Sequence, residues 1–171
     1  SKAYTTKGEI YATIANNIVN KSILDPESAK GADFSYGYKA YEAFSKGLEL
    51  AEKKFEKRAA TNGLIALEAT VENMGIVAYQ NSDWRAAYKS FQTAMSLSDQ
   101  LKELGEDSVV DEAKKKEYIT NAIVVGSQPD SDVDVILMID KAIDLGIEEP
   151  SIYQIAYTKY AETDKEKAVE Y

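Results

Sequence analysis

Apolar residues recur three and four positions apart along most of the chain, the period of one face of an α-helix. Tyr4, Gly8, Tyr11, Ile14 and Ile18 make the first stripe and predict a helix over about residues 2–19. Residues 20–34 interrupt it with Asn, Ser, Asp25-Pro26 and Gly31-Ala32-Asp33, which are turn signals. Asp25 ahead of Pro26 suits the cap of one short turn. Ala40, Tyr41, Phe44, Leu48, Ala51 and Phe55 then predict a helix over 35–58, and Thr61-Asn62-Gly63 reads as a break. Leu64, Leu67, Val71, Met74 and Ala78 carry the next helix to Gln80. Asn81-Ser82-Asp83 is a turn in which Ser82 or Asp83 caps the next helix.

The helix after that turn holds Trp84, Ala87, Phe91, Ala94, Leu97 and Leu101 and ends near Gly105. Asp107-Ser108 predicts a helix start, with Val110, Tyr118, Ala122 and Val125 apolar as far as about residue 125. Residues 126–130 form a turn, and 132–145 a return helix with Val135, Ile136, Ile139, Ala142 and Ile143 inward, stopped by Gly146. Pro150 opens a last full helix at a favoured first position. Tyr153, Ala156, Tyr157 and Tyr160 line it, Thr163-Asp164 ends it, and residues 165–171 begin a partner.

One spacing occurs twice. Ala40-x3-Phe44-x2-Gly47 matches Ala87-x3-Phe91-x2-Ala94, and Gly75 precedes the second copy in the neighbouring helix. Small residues let two helices approach closely while one Phe fills the gap between them. Ala40, Gly75 and Ala87 are therefore expected at buried crossings. A helix pair of this kind cannot bury its apolar side alone and must stack on further pairs.

The segments KGEIYATIAN, YGYKAYEAF, ENMGIVAYQNSDWRAAYKSFQTAM and KAIDLGIEEPSIYQIAYTKYAETDKEKAVEY give the chain its resemblance to the tetratricopeptide repeat family. The resemblance implies an all-α fold, a right-handed superhelical stack of antiparallel helix pairs, an α-solenoid of about 7–8 helices. On that pattern residues 1–171 are a single helical-repeat domain, expected to be a fragment of a longer protein. Repeat one covers 1–58 with an insertion at about 20–34, repeat two 61–104, repeat three 108–146, and a partial repeat four 150–171. Irregular bacterial members are often exported, which implies the cell envelope (periplasm) ahead of the cytoplasm.

The first helices of each pair in this family line a concave groove that holds a protein or peptide segment. Carried onto this chain, the groove would be Thr5, Glu9, Ala12, Glu72, Ile76, Tyr79, Thr120, Val124, Gln154 and Thr158. Its two acids, Glu9 and Glu72, favour a neutral or basic segment. The function this implies is a non-enzymatic interaction scaffold. The alternatives are a self-associating or spacer module of a larger envelope protein, and an enzyme using surface carboxylates such as Glu9, Glu72, Glu148 and Glu149.

Composition narrows the chemistry. The chain carries 20 Lys and Arg against 29 Asp and Glu, a net charge of -9, which argues against a general nucleic-acid binder. Its short basic clusters, Lys53-Lys54 with Lys57-Arg58 and Lys114-Lys115-Lys116, are interleaved with acids and read as solvated helix faces. The absence of Cys and His removes thiol chemistry, zinc sites of the Cys/His kind and Ser-His or Cys-His nucleophile pairs. Asp130, Asp132 and Asp134 have the spacing of a calcium loop, but Val135 and Lys141 stand where that loop needs Gly and Glu. No catalytic residue, cofactor or metal ligand is therefore assigned. No apolar run reaches membrane-spanning length, so membrane insertion is not expected.

Overall fold

A computed structural model describes residues 1–170, and the end of the last predicted helix at Tyr171 lies outside them. Among the described residues the chain is all-α. Eight α-helices occur in order, α1 Lys2–Leu24, α2 Tyr36–Glu49, α3 Lys54–Gln80, α4 Trp84–Glu103, α5 Glu112–Gly126, α6 Ile136–Asp144, α7 Pro150–Thr163 and α8 Lys165–Ala168. A single 3-10 turn, Pro26–Ala29, comes after α1, and the Asp25 carboxylate caps it by accepting the Glu27 N–H (3.1 Å). Consecutive helices pack on one another, and one apolar core runs from Ala15 in α1 to Ala168 in α8.

Small residues set the crossings. Ala40 and Ala87 are fully buried, and a Cβ on Gly75 would lie 3.0 Å from the Phe91 ring. α1 and α2 run antiparallel, because Gly47 of α2 meets Thr5 of α1 while Phe44 meets Gly8 nearer the middle. Phe44 touches a second glycine: a Cβ on Gly63 would sit 2.3 Å from its Cε1. Gly63 is thus a crossing point inside α3, not the break expected at residues 61–63. Burial of Ala60, Thr61 and Leu64 on one helical face keeps α3 continuous through it.

The real break comes earlier. α2 stops at Glu49, and the predicted stretch to residue 58 is split by residues 50–53. There the Glu56 carboxylate accepts the N–H groups of Glu52 and Lys53 (both 3.2 Å), restarting the helix from outside. The other turns obey the expected chemistry. Asp83 caps α4 by accepting the Ala86 N–H (3.0 Å), and Gly105 and Gly146 take the left-handed conformation that ends α4 and α6 (φ +75° and +61°).

Two later boundaries differ from the pattern. α5 begins at Glu112, capped by Asp111, rather than at residues 107–108. The buried Glu68 of α3 takes that segment for itself: its carboxylate accepts the Ser108 hydroxyl and the Val109 N–H (3.1 Å). α6 begins at Ile136 rather than 132, because Val135 is used as a plug against the bare backbone of Gly126. A Cβ there would lie 2.4 Å from Val135 Cγ1. No helix among the described residues is long and apolar enough to cross a membrane.

Candidate partner-binding cleft

α1, α3 and α5 lie side by side. Thr70 of α3 donates to Asn16 Oδ1 of α1 (2.8 Å), and Lys114 of α5 reaches Glu72 of α3 (2.7 Å). Their inward faces are held by the core stripe of Leu67, Val71, Met74 and Ala78, all without exposed surface, so the opposite face of α3 stays open. Two shallow clefts flank it. Between α3 and α5, Ile76, Tyr79, Asn121, Val124 and Val125, floored by Phe91, enclose about 250 Å³. Between α1 and α3, a second cleft of about 270 Å³ reaches from Val19, Ile23 and Pro26 to Asn73, Ile76 and Gln80.

Ile76 forms the ridge shared by both clefts and is 40% exposed. Tyr79 is 48% exposed and meets Trp84 edge-on at 5.6 Å between ring centres, which fixes the ring on the rim. The side-chain amides of Asn73, Gln80 and Asn121 form no hydrogen bond to another described residue. They are spare donor–acceptor groups set among apolar ones, the mixture that orients a bound segment.

Ile76, Tyr79 and Val124, all anticipated from the sequence, come together here. Thr120 is half-buried on α5 one turn away. Ala12 is half-buried against the core. Glu9 is exposed on α1, where its carbonyl accepts the Thr13 hydroxyl (2.8 Å). Gln154 and Thr158 are exposed on α7 and bonded to each other, Thr158 donating to the Gln154 carbonyl (2.9 Å).

Two expectations need correction. Thr5 is only 6% exposed, because the bare backbone of Gly47 closes over it; a Cβ there would lie 2.8 Å from Thr5 Oγ1. It belongs to the α1–α2 crossing. Glu72 is engaged by Lys114 and lies against the Tyr118 hydroxyl, whose pKa is pushed well up by burial and then by this carboxylate. Its charge is paired within the protein, so one of the two acids behind the expected neutral or basic segment drops out.

Asn73, Gln80 and Asn121 were missed. Asn73, Ile76 and Gln80 share one helical face at three- and four-residue steps, as do Asn121 and Val124. That spacing was available, but amides on a helix face do not stand out from other solvated positions. Comparison with known protein families, with curated proteins and with solved structures finds no match to this chain.

Proposed function

We propose that this chain is a non-enzymatic helical-repeat scaffold, tetratricopeptide-like in the order of its helix pairs and winding as a right-handed superhelix. Its partner is an uncharged protein or peptide segment laid across the clefts beside α3. The observation that carries this reading is the open strip of Ile76, Tyr79 and Val124 with the unused amides of Asn73, Gln80 and Asn121 around it. Apolar groups supply the drive to associate, and the amides pair with main-chain groups of the segment. Pairing of Glu72 with Lys114 favours a neutral segment over a basic one.

The enzymatic alternative has less support. Glu72 is neutralised by its partner, Glu9 stands on another helix, and Glu148 and Glu149 are exposed ahead of α7. The test is selection of peptides from a random library on the intact chain, with affinity measurement of those selected. Selected peptides should be apolar and uncharged. They should lose at least about tenfold in affinity to Ile76→Lys or Val124→Asp, the loss typical of a central contact. Equal affinity for both variants would move the site elsewhere.

A further inference from the structure

A second surface stands apart from these clefts. At the corner between α2 and α3, residues 52–55 and 57–59 are all exposed, and neither cleft beside α3 includes any of them. Phe55 is 67% exposed and Leu50 is 43% exposed. Around them, from Lys53 to Arg58, four cations (Lys53, Lys54, Lys57 and Arg58) face a single acid, Glu56. None of the four forms an ion pair with another described residue. The Lys53 ammonium lies 5.7 Å over the Phe55 ring, and Lys54 and Arg58 are one helical turn apart.

The neighbouring acids do not answer this charge. Glu49 is held by Lys46 (2.8 Å). Glu56 is turned onto the N–H groups of Lys53 and Glu52, and the Lys53 bond, then Ser1, then the Glu52 bond hold its carboxyl below the usual range. Only Glu52 is left. The cations also sit at the positive end of a long helix, where the dipole disfavours them. A chain with a net charge of -9 therefore concentrates unpaired positive charge, against local preference, around its exposed Phe. Departures of this kind mark functional surfaces.

We propose that this corner docks the protein on an anionic lipid surface, with Phe55 and Leu50 entering the headgroup boundary and the four cations meeting lipid phosphates. An exposed aromatic ringed by Lys and Arg is the arrangement that lies in a membrane interface without crossing it. The acids elsewhere on the chain are screened beyond about 8 Å in physiological salt, so the local charge governs contact. This docking is independent of the clefts beside α3.

The experiment is co-sedimentation of the whole chain with two kinds of vesicle, phosphatidylcholine alone and phosphatidylcholine mixed with phosphatidylglycerol. Binding should appear only with the mixed vesicles and weaken as salt is raised. Each basic residue removed should cost about fivefold in partition, so K54E/R58E should lose about 25-fold or more. Phe55→Ser should weaken binding with the charges intact. Neither variant should lower the melting temperature, since Phe55 is exposed and acids at this helix end are favoured by the dipole. Equal partition into both vesicles, or unchanged partition of K54E/R58E, overturns the proposal. So does polyglutamate binding, lost in K54E/R58E, with no vesicle binding; that outcome would assign the patch to an acidic polypeptide.

Discussion

Gly63→Ala separates an open helix position from a helix crossing. In an open helix interior, the added methyl would help by about 1 kcal/mol, the helix propensity difference between Ala and Gly. At this crossing the methyl would lie 2.3 Å from Phe44 Cε1 and 2.6 Å from both Cδ1 and Cζ, where carbon atoms normally stay about 3.5–4.0 Å apart. The ring has little room to yield. Phe44 is buried, and the same Cδ1–Cε1 edge already touches Gly8 of α1. Overpacking should therefore fall near the upper end of the usual range, about 3 kcal/mol. Subtracting the propensity gain leaves a net loss of about 2 kcal/mol. Urea unfolding monitored by circular dichroism would show a lower midpoint at unchanged slope. The melting temperature should fall by about 4–8 °C for a chain of this size. A partial recovery in Gly63→Ala with Phe44→Leu would locate the strain on the ring. A midpoint equal to or above that of the parent would refute the crossing.

Other contacts lead to further expected outcomes. Gly75→Leu should cost about 1–3 kcal/mol through the contact with Phe91, read by the same unfolding assay. Glu68→Ala removes the carboxylate that accepts the Ser108 hydroxyl and the Val109 N–H, at about 1–3 kcal/mol for hydrogen bonds to a charged group lost. It should also speed proteolysis within residues 104–111. Asp140 joins α6 to α8: burial pushes its carboxyl up, but bonds from Lys167 and the Tyr160 hydroxyl outweigh that and hold it low. A depressed carboxyl stabilises above its unfolded value and loses that contribution as pH falls through the folded one. Asp140→Asn should therefore lower the melting temperature at neutral pH, and the difference should shrink as pH falls below about 4 and vanish only beneath the depressed folded value.

Most of the helices were legible because a buried face repeats at a fixed step, and that step survives whatever the helix packs against. Turns that close locally were legible too: Asp25, Asp83 and Gly146 act on residues within a few positions of themselves. The misplaced boundaries share another property. Gly63 is explained by a ring 19 residues earlier, the late start of α5 by Glu68 some 40 residues back, and Val135 by the bare backbone of Gly126 across a loop. A glycine that ends a helix and a glycine that admits a neighbour are the same letter. Only the partner tells them apart.

The same non-locality decides the chemistry of the cleft. By residue type Glu72 is a free acid on an open helix face, and an acid there calls for a basic partner. Lys114, 42 positions later, removes that charge at 2.7 Å. Asn73, Gln80 and Asn121, unremarkable by type, become the groups with unspent hydrogen-bonding capacity. The proposed partner is therefore narrowed from a neutral or basic segment to a neutral one. Lys114→Ala would expose the difference. Freed of its counter-ion beside the strip, Glu72 should raise affinity for a selected peptide carrying an added Lys relative to its uncharged parent. If the two peptides kept the same affinity ratio on Lys114→Ala as on the unaltered chain, the pairing would not set the charge preference of this face.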